Sequence, residues 1–234
     1  GGWRACVGGD LVLGASSGVP IIGRASVGPS AFVTSEASVR RDATAASTPI
    51  DARALLDYSL ATPLNDELSA AGGYWTHLSR AVFAFVVPGT NTYLAVGSSG
   101  GHRSGVGYKI TQDDGTLCGG YCTPEAADNY PYYWAYNMSD LLAVHRGDAQ
   151  PHEPRPYAHG VLDVPYQRAA GDGGPYLING ATYDERARVL WLALAGADRE
   201  QGQYANPPLL LAFEFDVDNA LAGGSSAVPS GTGG

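Results

Sequence analysis

The 234-residue sequence predicts an all-β protein built from repeated four-stranded antiparallel units. Three observations carry this. Glycine at 32 positions, proline at 15 and tyrosine at 14 favour short strands and turns over helices. Apolar and polar residues alternate, most clearly in LLLAFEFDV, where Phe213 and Phe215 face one side and Glu214 and Asp216 the other. A phrase also recurs, as LVLGASSG, YLAVGSSGG and LWLALAGAD, at intervals of about 80 to 100 residues.

Taken in order, RACVGGDLVLGASSG (4–18) reads as strand, Gly-Gly-Asp turn and strand, and SAFVTSEASV (30–39) as the next strand. SVRRDATAASTPID (38–51) reads as an exposed connector. IDARALLDYSL (50–60) fits either a strand or a short helical turn. RAVFAFVVPGTNTYLAVGSSGG (80–101) is two strands around a PGTN turn, and GVGYKITQDDG (105–115) a further strand ending in the hairpin turn Asp113–Asp114–Gly115. The row of rings in DNYPYYWAYNMSDLLAV (128–144) reads as a strand, with Tyr132, Trp134 and Tyr136 on one face and Tyr133 on the other. RGDAQPHEPRP (146–156) is a proline-punctuated connector. INGATYDERARVLWLALAGAD (178–198) is two strands around DERAR, and PPLLLAFEFDV (207–217) the last strand. No convincing long helix appears. Twelve or thirteen strands group into three units within one domain, residues 1–222, followed by a Gly/Ser-rich, linker-like tail, 223–234.

Four-stranded units with hairpin turns and Gly-rich phrases resemble β-propeller blades. The stretches YYWAYNMSDLLAV, RPYAHGVLDVPYQ, INGATYDERARVLWLALAGADREQGQYANPP and LLLAFEFDV look like those of uncharacterised secreted bacterial β-propeller-like proteins, over roughly residues 3–217. The resemblance implies a β-propeller-like array. Three units are recognisable where a ring needs about four, which leaves open further units not legible in the sequence, a partial propeller closed by another chain or a missing segment, or a sandwich or β-barrel variant. It also implies secretion or display at the cell surface.

Composition narrows the function. Hydrophobic residues at 44% and charged residues at 16% exclude a disordered chain. A net charge of −9 with no basic run argues against nucleic acid as a partner. No apolar run approaches the about 20 residues of a membrane span. Cys118 and Cys122, in CGGYC, are close enough for a small disulfide loop, while Cys6 has no evident partner. The five histidines form no zinc pattern, so neither metal nor cofactor is expected. There is no G-x-S-x-G elbow, GxGxxG turn or P-loop.

Four places are candidates for a site. Aromatic rings stack on sugar faces when exposed, which singles out Tyr130 and Tyr133 in the ring row, and Tyr74, Trp75, His77 and Arg80 in GGYWTHLSR (72–80) sit together at a loop-to-strand junction. His102 and Arg103, on a glycine-rich loop, offer hydrogen bonds to an anionic or polyhydroxylated ligand. His159, Asp163, Tyr166 and Gln167 set polar groups in an apolar run, and a His159–Asp163 contact would make an acid/base pair. The long loop 195–208 brings Asp198, Arg199, Glu200 and Tyr204. Glycoside hydrolysis needs two carboxylates about 5–10 Å apart, and Asp57, Asp163, Asp198 and Glu200 are the acids available for it. The leading expectation is an extracytoplasmic module that recognises carbohydrate or another surface polymer through rings and Arg, Asp or Glu contacts. Its rivals are a propeller-fold glycoside hydrolase or polysaccharide lyase, and a structural subunit of a surface assembly.

Overall fold

A computed structural model describes residues 6–7, 9, 11–14, 26–43, 49–167, 176–202 and 205–214. Tyr204, Phe215, Asp216 and the tail lie outside them. The described chain is mostly β-sheet, with two short capped helices.

The first sheet is the meander β1 (Leu11–Leu13), β2 (Ala31–Thr34) and β3 (Arg53–Leu56). The second has the order β4 (Arg80–Val86), β5 (Thr92–Gly100), β8 (Asn129–Asn137), β9 (Ala158–Val161). A two-stranded ribbon, β6 (Gly107–Tyr108) and β7 (Tyr121–Cys122), is inserted between β5 and β8. The last sheet is the meander β10 (Ile178–Asp184), β11 (Val189–Leu194), β12 (Leu209–Glu214). Every pairing is antiparallel. Among the described residues no sheet closes on itself.

The three main sheets stack in chain order. Val33, Leu55 and Leu56 of the first sheet pack with Tyr93, Tyr132, Trp134 and Tyr136 on one face of the second. Leu94, Val96, Tyr133 and Ala135, on its other face, pack with Ile178, Leu190, Leu192, Leu211 and Phe213 of the third. The middle sheet is therefore buried on both faces, and all nine residues of β5 are buried. Period-two alternation produces this split, sending Tyr132, Trp134 and Tyr136 one way and Tyr133 the other.

Several expectations need correction. Only the middle sheet has four strands. Residues 105–115 do not add a strand to it; they supply β6 of the ribbon, while the Cys118–Cys122 disulfide closes the short loop that leads into β7. The strand beside β5 is the ring row itself, in register Tyr93↔Tyr136 to Gly100↔Asn129. Cys6 and Val7 are helical rather than the start of a strand.

Two helices also interrupt stretches read as strand or connector. In α1 (Glu36–Asp42), the Ser35 hydroxyl accepts the Ser38 N–H at 3.0 Å and Arg40 pairs with Glu36 one turn back. In α2 (Met138–Arg146), Asn137 caps the start, Gly147 at φ 87° ends it, and Met138, Leu141 and Val144 form the buried stripe. Asn137 is thus both the last residue of β8 and the cap of this helix.

One glycine explains a local irregularity. Gly97 faces the bulge between Ala81 and Phe83, and a Cβ there would lie 1.9 Å from the Arg80 carbonyl oxygen. Only glycine lets the two backbones come this close.

Candidate functional site

At the Gly100 end of the middle sheet, the loop 72–79, the turn 100–105 and the strands β8 and β9 bring rings and small polar side chains together. Gly101 and Gly105, at φ 79° and 77°, make the turn that follows β5. That turn lays the His102 imidazole flat on the Tyr132 ring, with centroids 4.4 Å apart and planes 2° apart. Tyr130, two residues before Tyr132 and on the same face, continues the stack at 5.8 Å. His159 pairs with Trp134 across β8 and β9, so it points to the same face and lies diagonal to Tyr132. The Tyr132 hydroxyl and His159 Nδ1 are 2.8 Å apart, and Tyr74 meets the His159 ring edge-on at 5.0 Å.

His102 heads a hydrogen-bonded relay. Its Nδ1 lies 3.0 Å from the Gly73 carbonyl, which can only accept, so Nδ1 carries the proton. Nε2 then accepts from the Ser99 hydroxyl at 2.7 Å. Ser99, having donated, accepts from Ser79 at 2.6 Å, and Ser79 accepts the Thr76 N–H at 2.8 Å. Burial pushes the His102 imidazole down to about 4, with the Gly73 carbonyl opposing and His159 adding to the shift. Burial lowers His159 as well. Both rings are therefore neutral at pH 7.

Asp128 anchors the same turn from beneath and is fully buried. Its Oδ2 accepts from the N–H groups of Arg103 (3.0 Å) and Ser104 (2.7 Å) and from the Ser104 hydroxyl (2.8 Å). Its Oδ1 accepts from the Tyr130 hydroxyl at 2.7 Å. Burial alone would raise this carboxyl, but the hydrogen bonds outweigh it and hold the group below the usual carboxylate value. The Arg103 guanidinium lies over the turn, 2.8 Å from Glu125 Oε2 and 3.6 Å from Asp128 Oδ1.

The other candidates fall elsewhere. Trp75 is fully buried, 4.9 Å from Trp134, with no face left for a ligand. Tyr133 is buried in the second core, on the far side of the sheet from Tyr132. His77 stacks on Tyr121 of the ribbon at 4.2 Å, so it docks the ribbon against the loop. Tyr166 is exposed, with φ 63°, in the loop after β9. Asp163 is exposed in that same loop, whereas His159 is turned to Tyr132. Asp198 accepts the Glu200 N–H at 2.9 Å, which makes it a turn residue, and Glu200 is exposed. Asp57 is exposed after β3. None of these acids hydrogen-bonds to the ring cluster.

A cleft of about 240 Å³ lies apart from the cluster, between β1 and the β4–β5 pair, lined by Val12, Leu13, Phe83 and Tyr93 among others. Among the described residues that line it, Tyr93 is the titratable one, and burial raises that phenol. Among the described residues no three His, Cys, Asp or Glu side chains converge as metal ligands, and no helix is long and apolar enough to cross a membrane.

Sequence reasoning overlooked Asp128, Ser99, Ser79 and Thr76. The available signal was the crowding of SSGGHRS with small residues next to a histidine. Compared with known families, curated proteins and solved structures, the chain matches none.

Proposed function

We propose that this chain is an extracytoplasmic recognition module that binds carbohydrate or another surface polymer at the ring cluster. The observation that carries the reading is the grouping of the half-buried Tyr74, His102, Tyr130 and His159 around the buried Tyr132 at one sheet end. Rings of this kind supply apolar faces for sugar rings, and neutral imidazole and phenol groups exchange hydrogen bonds with hydroxyls. Asp57, Asp163, Asp198 and Glu200 lie on separate loops and make no hydrogen bond to this cluster, and the carboxylate within it, Asp128, is taken up by four hydrogen bonds. The disulfide is compatible with an oxidising compartment. We read the stacked meanders as part of a propeller.

A second reading, a subunit of a surface assembly, is favoured by the outer face of the third sheet. There Trp191 is 42% and Leu210 64% exposed, and among the described residues of that face only Asp184 and Glu214 are charged, at one end.

The test incubates the purified chain with a panel of polysaccharides and measures retained protein and released fragments in the same tubes. Retention without release is expected. Tyr74→Ala and His159→Ala should each weaken retention about two- to tenfold, the range of one ring contact. Fragment release would instead establish an enzyme. Absence of both would remove the carbohydrate reading and leave the assembly.

A further inference from the structure

The charge balance at the ring cluster points to its ligand class. We propose that the site takes neutral, polyhydroxylated glycans and discriminates against uronate-bearing ones; this rests on the recognition reading above and narrows its ligand.

Arg103 is the cation at the cluster, and two carboxylates already occupy it. Glu125 Oε2 lies 2.8 Å from its Nη2, and Asp128 Oδ1 3.6 Å from its Nε. Asp128 is fully buried and tied by four hydrogen bonds, so it cannot swing away. A uronate would have to displace Glu125, exchanging one carboxylate for another with no gain, or add a third carboxylate beside one guanidinium. The histidines bring no compensating charge at pH 7. At a net charge of −9 the whole chain also repels polyanions at long range.

A neutral sugar meets no such obstacle. His159 commits Nδ1 to Tyr132, which leaves Nε2 for a ligand hydroxyl. The half-buried Tyr74 beside it adds a phenol and a ring edge.

The experiment uses matched probes. A glucan, a mannan and a galactan are each presented as made and after oxidation of their primary alcohols to uronates, at low salt and pH 7. The native chain should be retained by at least one neutral polymer and about tenfold more weakly by its oxidised form. Added salt should narrow that gap. Glu125→Gln removes the closer of the two carboxylates on Arg103 and should tighten uronate binding about two- to fivefold, the worth of an exposed ion pair. Equal or tighter binding of the oxidised form overturns the inference while leaving the glycan site standing. Binding to neither form of any polymer overturns the glycan site, and the inference with it.

Discussion

Asp128 is the residue on which the site's geometry depends most. It holds two backbone N–H groups, a serine hydroxyl and a tyrosine hydroxyl, and so fixes the turn that carries His102. Asp128→Ala should lower unfolding free energy by about 2–4 kcal/mol, because those donors lose their acceptor in a buried place. Chemical denaturation measures this. The folded carboxyl titrates below its unfolded value of about 3.9. Its contribution is therefore complete above that pH and is lost as pH falls through the folded value. His102 acts over a higher window. Its folded value of about 4 lies below the unfolded value of about 6.5, so the unfolded chain binds more protons between them. Stability should rise with pH across that window, and His102→Gln should flatten the slope there. A stability curve flat from pH 4 to 6.5 in the native chain would contradict the buried, neutral imidazole. The sequence made His102 visible through its glycine-rich loop. It hid the Ser99 and Gly73 contacts, because one depends on a tight turn and the other on a loop 29 residues away.

At the scale of elements, legibility followed locality. β4, β5, β10, β11 and β12 were readable because alternation and turn residues lie within each hairpin. The ring row was readable as a strand, but its place beside β5 was not, since that register spans the whole ribbon insertion. Helix α2 was missed although its signals were present. Asn137 before it, Asp140 in its first turn, His145 and Arg146 in its last and Gly147 after it form a complete set of caps. The β-forming rings just upstream masked them. Asn137→Ala should cost about 1 kcal/mol through the lost cap. Trp134→Ala should cost about 3–5 kcal/mol, since this fully buried ring joins the first two sheets beside Trp75. Thermal or denaturant melts read both, and a Trp134 variant as stable as the native chain would remove the ring row from the core.

Among the described residues, three sheets stack in chain order and the same stacking occurs twice. In YLAVGSSGG, Ser98 accepts the Ile178 N–H from the third sheet, while Ser99 turns the other way into the His102 relay. A small-residue strand end thus ties two sheets together and equips the site. The outer Trp191–Leu210 face leads to a prediction at this scale. If it serves an assembly, light scattering should show concentration-dependent association that Leu210→Glu abolishes. A monomer at every concentration would count against that role.

The central claim is recognition at the ring cluster. Its most direct test is retention on a polysaccharide panel, comparing the native chain with Tyr74→Ala, His159→Ala and the exposed-surface variant Leu60→Ser, each first shown to be folded. The account predicts retention by the native and Leu60 variants, weakened in both cluster variants, with no fragments released. Equal retention by all four, or retention by none, would contradict it.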